Sequence, residues 1–370
     1  MNEVVKTIKS GWIGTGPKTH LFEEKIRKYI GSKFAIALNS CTAGLHLALD
    51  VIGVSDKDEV ITTPLTFPST ANVIIHHHAK PVFVDVELTT GNIDPLAIEK
   101  AITKKTKAII PVHLYGRPCN MELINKIAKK YKLFVIEDAA HALEAKFKEK
   151  KIGTISDFTA FSFYVTKNLT TAEGGMLTTN NAKWANEARI RSLHGISKDA
   201  WKRYSSSGFT PYETFYPGYK YNMIDLQASL GLHQVDKIWQ LLKTREKYWR
   251  LYNDAFKDIK EVQIPAETQK NIKHARHLYT LLLNINRLKI GRNHFIDALK
   301  AENIGAGIHF TALHLHKFYR EKFGFKKGTF LNAEYIGERT VSLPLSPLLT
   351  QQDINDVIEA VRKIITYYKK

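Results

Sequence analysis

Short apolar, β-branched runs alternate with helix-like segments throughout residues 33–137. The runs expected to form buried strands are 34–38, 59–63, 81–85, 108–112 and 133–136. The segments between them that are expected to form helices are 42–52, 68–77, 95–101 and 121–131. Parallel strands need crossover connections, which helices supply, so this alternation predicts an α/β fold whose central sheet is mostly parallel and flanked by helices.

The remainder of the chain is expected to complete this sheet and then form a second domain. Strands are predicted at 158–163 and 175–178, a helix at 182–192, and an ordered loop at 202–221, which is rich in Ser, Gly, Pro and Tyr. A long helical stretch over 225–256 would lead into a smaller α+β domain, with a strand at 279–285 and helices at 291–302 and 351–367. The predicted division is a large domain over 1–240 and a small one over 241–370.

Charge and composition narrow the class of protein. The 54 Lys and Arg exceed the 36 Asp and Glu and give a net charge of +18, which raises the question of nucleic acid. No helix-turn-helix, RNA-binding module or block of five like charges accompanies this excess, so we expect no nucleic-acid partner. Two cysteines, no apolar run near the roughly 18 residues of a membrane span, and no signal-peptide pattern at the start predict a cytoplasmic protein.

Three predicted strands end in polar residues that are suited to chemistry. The strand at 34–38 leads into a helix that begins near Thr42, and a helix N-terminus favours phosphate. The strand at 133–136 is followed by Asp138, and the strand at 158–163 is followed by Lys167. Each has an ordinary alternative, because Thr42 and Asp138 can be simple caps and an isolated lysine is usually solvated.

Together these three strand ends indicate one cofactor, because ligands of parallel sheets bind beyond the carboxyl ends of the strands. A lysine for a Schiff base, an acid to pair with a protonated ring nitrogen, and a phosphate cradle are the groups that pyridoxal 5′-phosphate requires. The sequence therefore predicts a pyridoxal-phosphate enzyme.

Four ordered motifs resemble those of a known family: SCTAGLHLAL at 40–49, IEDAAHA at 136–142, FSFYVTKN at 161–168 and GYKYN at 218–222. They are similar to the motifs of the DegT/DnrJ/EryC1/StrS nucleotide-sugar aminotransferases, and most similar to the UDP-4-amino-4-deoxy-L-arabinose aminotransferase branch. The resemblance implies the fold of type-I pyridoxal-phosphate aminotransferases. It also implies a homodimer with shared active sites.

The resemblance assigns roles by motif. Lys167 would be the Schiff-base lysine, Asp138 the partner of the ring nitrogen, and His141 a neighbour of the phenolic oxygen of the cofactor. Residues implied to bind the cofactor are Thr42, Ala43, Phe67, Asp138, Ser162, Lys167 and Asn222, with Asn222 reaching the phosphate of the neighbouring subunit. His309 would line the substrate side, although packing explains a histidine there equally well.

The sequence also departs from the family pattern. Glu144, Glu149 and Ser156 stand where family members often have glycine, which leaves the shape of the turn over 144–157 open. Phe67 replaces the tryptophan of the most similar branch and offers a smaller ring for stacking. No predicted catalytic group is lost.

The implied reaction moves an amino group from glutamate to a ketone, expected at C4, of a nucleotide-linked sugar in cell-surface polysaccharide or amino-sugar biosynthesis. A sugar dehydratase would have histidine at the position of Lys167, and a cysteine desulfurase would need Cys119 as a mobile nucleophile. A regulatory protein that only senses the cofactor is a third alternative. No metal is expected, because His76, His77 and His78 are adjacent and lack the spacing of ligands on one helix face.

Overall fold

The computed structural model of the protein describes residues 1–196 and 213–370. Its helices there are α1 (Asn2–Lys9), α2 (Pro17–Ile30), α3 (Cys41–Val51), α4 (Pro68–His76), α5 (Pro95–Ala101), α6 (Met121–Tyr131), α7 (Ala182–Arg191), α8 (Asp225–Gly231), α9 (Ile238–Phe256), α10 (Arg292–Ala301), α11 (Lys317–Phe323), α12 (Leu331–Arg339) and α13 (Gln351–Tyr368). Its strands are β1 (Phe34–Leu38), β2 (Glu59–Thr62), β3 (Lys80–Phe83), β4 (Thr106–Ile109), β5 (Phe134–Asp138), β6 (Lys146–Phe147), β7 (Lys150–Lys151), β8 (Phe158–Ser162), β9 (Gly175–Thr179), β10 (Val262–Gln263), β11 (Ile272–Lys273), β12 (Tyr279–Leu283) and β13 (Thr340–Leu343).

The central sheet has seven strands in the order β1-β9-β8-β5-β4-β2-β3. Strands β3, β2, β4, β5 and β8 run parallel to one another, whereas β9 is antiparallel to both β8 and β1. The prediction of a mostly parallel sheet in an α/β fold is therefore confirmed. The loop over residues 163–174 connects the antiparallel neighbours β8 and β9, and it carries Lys167.

Apolar side chains cover both faces of this sheet. On one face Phe161 of β8 packs with Phe22 and Ile26 of α2, and on the other Ala160 packs with Leu45 of α3. Helices α6 and α4 extend these two layers over the other strands. Because successive side chains of a strand point to opposite faces, the apolar runs read from the sequence are buried on both sides.

A second core forms around the antiparallel sheet β10-β12-β13, where β12 meets helices α9, α10 and α13. The chain nevertheless returns to the large sheet between β10 and β12. Strand β11 pairs with β6, and Ala275 belongs to the same apolar cluster as Phe161. The division at residue 240 stays a prediction, and the structure adds that the C-terminal segment contributes side chains to the large core.

The structure differs from the sequence interpretation in the region after residue 196. The single helical stretch predicted over 225–256 is wrong, because α8 ends at Gly231 and a 3₁₀ turn, Val235–Lys237, precedes α9. At Gly231 a Cβ atom would lie 2.7 Å from the ring of Phe22, so α8 is pressed closely against α2 at this glycine. Of the predicted loop, 202–212 lies outside the described residues, and 213–221 forms only isolated bridges.

Other elements had no counterpart in the sequence interpretation, namely α1, α2, α11, α12, the four-residue strand β13 and the two-residue strands β6, β7, β10 and β11. These helices are short or mixed in composition, and two-residue strands lack a readable period. Among the described residues, none of the helices is both long enough and apolar enough to cross a membrane.

Candidate active site

A cleft of about 460 Å³ opens at the carboxyl ends of β1, β5 and β8. This volume falls within the range of small-molecule sites, roughly 300–1,000 Å³. Of the predicted site residues, the cleft is lined by Thr42, Phe67, Asp138, His141, Ser162, Lys167 and His309. Ala43 and Asn222 are outside this lining. The cleft therefore brings strand-end residues together at one edge of the sheet, with His309 added from the C-terminal half.

Asp138 is only 4 % exposed, and neutral groups hold its carboxylate. Thr70 Oγ1 donates to Oδ2 over 2.7 Å, and the backbone N–H of Ala140 donates to Oδ1 over 3.2 Å. Because the Thr70 hydrogen is directed at Asp138, the hydroxyl of Thr66, 2.9 Å away, donates to Thr70. Burial raises the pKa of Asp138, and these donors and the Lys167 ammonium counter the rise. A cation beside this carboxylate would offset the cost of burying its charge.

A second buried pair supports the strand that presents Asp138. His113 and Glu137 are both fully buried, and His113 Nε2 lies 2.7 Å from Glu137 Oε2. The backbone N–H of Cys119 donates to His113 Nδ1 over 3.0 Å, so Nε2 carries the proton and donates to Glu137. Cys119 itself is fully buried, with its thiol 3.1 Å from the Val112 carbonyl, which argues against a mobile nucleophile there.

Lys167 lies in the closed return between β8 and β9. The return is fixed by hydrogen bonds from the Phe163 N–H to the Gly174 carbonyl over 2.8 Å and from the Thr171 N–H to the Phe163 carbonyl over 2.9 Å. In the described part of the chain, no side chain forms a hydrogen bond or ion pair with its amine. Burial lowers the pKa of Lys167, and Cys41 and Asp138 partly oppose this shift. A larger share of the amine is thus unprotonated and nucleophilic near neutral pH.

The phosphate cradle was predicted at the N-terminus of α3. Ser40 is its N-cap, and Ser40 Oγ accepts from the backbone N–H of Ala43 over 3.1 Å. Thr42 faces the cleft together with Ser162. The Ala43 N–H already has a partner within the chain, so phosphate binding at Ala43 would require the Ser40 side chain to move.

Phe67 stands at the mouth of the cleft and is 59 % exposed. It caps α4, and its ring centroid is 6.2 Å from that of Phe310, with 58° between the planes. An aromatic ring left this exposed beside a cleft offers a free face for a planar ligand.

Three imidazoles surround the approach to Lys167. The rings of His141 and His277 are 4.4 Å apart, and His309 Nδ1 lies 2.8 Å from Ser342 Oγ. Burial lowers the pKa of His141 and of His277 well below the usual range, and it lowers that of His309 to about 4. All three are therefore neutral near pH 7. The sequence interpretation did not identify His277, because it is far along the chain from every strand-end motif.

Asn222 occupies the edge of β1, where it forms a bridge with Leu38. Its Nδ2 donates to Thr15 Oγ1 over 2.6 Å, and its buried Oδ1 has no hydrogen-bond partner within the part of the chain that the structure describes. Its predicted contact with the phosphate of a neighbouring subunit stays a prediction.

Two of the adjacent histidines at the end of α4, His76 and His77, lie close to the ring of His46. The His77 ring stacks on the ring of His46 at 4.3 Å, and His77 Nε2 lies 3.0 Å from the His46 carbonyl. Burial lowers the pKa of His77. In residues 1–196 and 213–370, no group of three or more His, Cys, Asp or Glu side chains has the placement of metal ligands.

The sheet and its carboxyl-edge cleft define the protein as having the fold of type-I pyridoxal-phosphate enzymes. The residues also fit the cofactor. Among residues 1–196 and 213–370, no cation pairs closely with the buried acid Asp138 and no group bonds to the Lys167 amine, and Thr42 lies in the first turn of a helix. The model of the DegT/DnrJ/EryC1/StrS aminotransferase family matches residues 1–362. The chain belongs to this family.

Individual relatives agree with this assignment. The chain is 58 % identical to the protein MJ1066 of Methanocaldococcus jannaschii, over 99 % of this chain and 95 % of that one. It is 49 % identical to the spore coat polysaccharide biosynthesis protein SpsC of Bacillus subtilis, over 99 % and 94 % of the two chains.

A solved structure with a similar fold is that of the putative sugar aminotransferase Spr1654 of Streptococcus pneumoniae. Its PMP form superposes with a TM-score of 0.93 at 34 % identity, covering 99 % of this chain and 96 % of that one. Spr1654 is also known in a PLP form. The cofactor prediction agrees with this family and with these forms of its neighbour.

Proposed function

We propose that the protein is a pyridoxal-phosphate-dependent aminotransferase that moves an amino group from glutamate to the C4 ketone of a nucleotide-linked sugar. The observation that carries the proposal is the placement of Lys167 and Asp138 at the ends of the adjacent strands β8 and β5, in one cleft. The two groups that the chemistry requires thus face the same cavity from neighbouring positions.

The residues of the cleft would hold the cofactor at both of its ends. Asp138 would pair with the ring nitrogen, Thr42 and Ser162 would bind the phosphate, and Phe67 would lie against the ring. Bound there, pyridoxal phosphate supplies an aromatic system that accepts electrons from the substrate carbon.

Lys167 would act as the general base and acid of the reaction. Its lowered pKa leaves free amine near neutral pH, so it can take the α-proton from glutamate and later give a proton to the sugar carbon. His141 is neutral because burial lowers its pKa, so it can accept or donate a hydrogen bond without bringing a second positive charge close to Lys167.

The substrate assignment is the finer part of the proposal. Glutamate and a nucleotide diphosphate sugar are anions, which a chain of net charge +18 attracts without any nucleic acid. We also propose the branch that resembles UDP-4-amino-4-deoxy-L-arabinose aminotransferases, a role in cell-surface polysaccharide synthesis such as lipopolysaccharide, and a cytoplasmic location. The relation to SpsC supports the polysaccharide role. We further propose a homodimer in which Asn222 of each subunit completes the site of its neighbour. We also propose a domain boundary near residue 240.

The test is to incubate the purified protein with glutamate and a panel of nucleotide-linked ketosugars and to identify products by mass and NMR. We expect release of 2-oxoglutarate and an aminated sugar. Lys167→Ala should lower the rate by about 100- to 10,000-fold, the range of acid–base catalysis. Lys148→Ala is the matched control, because Lys148 is an exposed lysine paired with Glu122. Failure of the wild type to release 2-oxoglutarate would favour a cofactor-sensing protein, and an active Lys167→Ala variant would remove the lysine from its role.

A further inference from the structure

A buried ion pair lies behind the active-site cleft. Glu144 is fully buried, and Arg245 of α9 is 1 % exposed. Arg245 Nη2 donates to Glu144 Oε1. Burial raises the pKa of Glu144, and Arg245 and Asn168 counter the rise. Because desolvation offsets much of the attraction in a buried pair, this pair is weak evidence for a purely stabilising role.

The second oxygen of Glu144 fixes the side chain of Asn168, the residue that follows Lys167. Asn168 Nδ2 donates to Glu144 Oε2 over 2.8 Å and to the Ala275 carbonyl over 3.2 Å. Both partners are acceptors only, so the NH₂ group must face them. The carbonyl oxygen of the Asn168 amide is thereby directed to the opposite side.

That oxygen sets the tautomer of His277. Asn168 Oδ1 lies 2.8 Å from His277 Nδ1. An amide oxygen can only accept, so Nδ1 carries the proton, and the ring is neutral because burial lowers the pKa of His277 well below its usual range. The other ring nitrogen, Nε2, is then left with its lone pair.

His277 in turn supports an imidazole of the cleft. Its ring lies 4.4 Å from that of His141, at 31°. The backbone is held by a hydrogen bond from the His277 N–H to the Tyr115 carbonyl over 3.2 Å. Next to it, Gly116 has φ +96°, and a Cβ there would lie 2.7 Å from the His141 carbonyl and 3.4 Å from the His277 N. The backbone at Gly116 is therefore packed so closely against His141 and His277 that a side chain does not fit there.

We propose that Glu144 is a positioning residue, which, held by Arg245, orients the Asn168 amide and so keeps His277 in its Nδ1–H tautomer behind His141. The hydrogen bonds and the ring contact form a continuous path from the ion pair to the cleft. That this path helps amino transfer rests on the proposed function. The tautomer of His277 does not depend on the proposed function.

Histidine tautomers are measured directly by NMR of the full chain labelled with ¹⁵N-histidine and carrying its cofactor. Loss of one signal in a His277→Gln variant identifies His277. We expect Nδ1–H in the wild type and a shift toward Nε2–H in Glu144→Gln, because an amide has a single acceptor oxygen, which Arg245 takes. The NH₂ group of the new amide at position 144 would then face Asn168, and the Asn168 amide must flip so that its oxygen accepts from that group. Glu149→Gln is the matched control, an exposed glutamate on the same turn that should leave the tautomer unchanged.

The same variants connect the tautomer to the reaction. Glu144→Gln should lower kcat about 10- to 100-fold, as small displacements in an active site do, and Glu149→Gln should not. If Glu144→Gln fails to fold, Asn168→Ala provides the second test, because it keeps both Glu144 and Arg245 and removes the amide that connects them to His277. We expect a mixture of the two His277 tautomers in Asn168→Ala.

Wild-type His277 in the Nε2–H form, or a His277 tautomer that neither variant changes, would overturn the proposal. A changed tautomer with unchanged kcat would overturn the positioning role. A wild type that shows the expected tautomer but transfers no amino group would refute the proposed function, while the link from Glu144 to His277 would remain supported.

Discussion

The hydroxyl of Thr70 donates a 2.7 Å hydrogen bond to Oδ2 of Asp138, from the first turn of α4 to the end of β5. The bond stabilises the ionised carboxylate, because it lowers a pKa that burial raises. Hydrogen bonds to charged groups contribute about 1.5–3 kcal/mol. Thr70 therefore keeps Asp138 able to pair with a cation.

Replacing Thr70 by valine should weaken cofactor binding. The variant keeps the shape of the side chain and removes the donor to Asp138, so the dissociation constant of pyridoxal phosphate should rise about 10- to 100-fold. Titration of the cofactor by absorbance measures this. Thr70→Ser retains the hydroxyl and should bind within a few-fold of the wild type; equal binding by all three proteins would contradict the role given to Thr70.

Removing the Phe67 ring should lower the affinity for the cofactor and leave the stability of the fold nearly unchanged. Because this ring is 59 % exposed, Phe67→Ala should change the free energy of unfolding by less than about 0.5 kcal/mol. Cofactor affinity should fall, since the ring face at the mouth of the cleft is lost. Denaturant unfolding of the cofactor-free protein measures the free energy of unfolding, and titration with the cofactor measures its affinity. Phe67→Trp should restore the affinity. A large loss of stability with unchanged affinity would argue that the ring is a packing residue.

His309 should make the free energy of unfolding depend on pH. Its pKa is lowered from 6.5 to about 4 in the folded state, so between these values the unfolded chain binds a proton that the folded chain does not. The stabilising contribution of His309 to the free energy of unfolding is fully present above pH 6.5 and is lost as the pH falls toward 4. The slope reaches about 1.4 kcal/mol per pH unit for one proton.

Urea unfolding of the cofactor-free protein at several pH values tests this dependence. His309→Asn should have a shallower slope between pH 6.5 and 4 than the wild type. The exposed His294 provides the control, because His294→Asn should retain the wild-type slope. Parallel curves for wild type and His309→Asn would exclude the assigned shift.

Adding a methyl group at Gly116 should disturb both stability and the site. The glycine has φ +96°, and a Cβ would lie 2.7 Å from the His141 carbonyl, so Gly116→Ala should cost more than about 1 kcal/mol. Gly305→Ala is the control, because among the described residues no atom beyond its own chain neighbours lies within 4 Å of the added Cβ. Thermal or denaturant unfolding measures the stability of both variants. Equal stability of Gly116→Ala and Gly305→Ala would show that the backbone at Gly116 adjusts to the added methyl group.

The sequence predicted the strand-end residues because their placement depends on local order and on one topological rule. Thr42, Asp138 and Lys167 each follow a recognisable strand, and parallel strands bring their carboxyl ends to one edge. Thr70 carried a weaker signal, a hydroxyl in the first turn of a helix that begins at Pro68. It was missed because nothing local shows that this turn faces Asp138.

His277 could not be predicted, because its position depends on tertiary contacts. It lies beyond α9, in a segment held against the Tyr115 and Gly116 backbone by hydrogen bonds that no sequence period records. The break between α8 and α9 was missed for a related reason. Gly231 is one residue in an otherwise helical pattern, and the ring of Phe22 that approaches it belongs to a distant helix.

The antiparallel position of β9 affects how the chain folds as it is made. Strand β1 is an edge strand that joins the central sheet through β9, so in the described residues its backbone groups have no ladder partner until residues 175–179 have been synthesised. At about 5–20 residues per second, the wait after β1 is on the order of ten seconds. During this time an apolar strand remains unpaired on the growing chain. The nascent protein is therefore most exposed to aggregation, and most dependent on chaperones, before its Lys167 loop is complete.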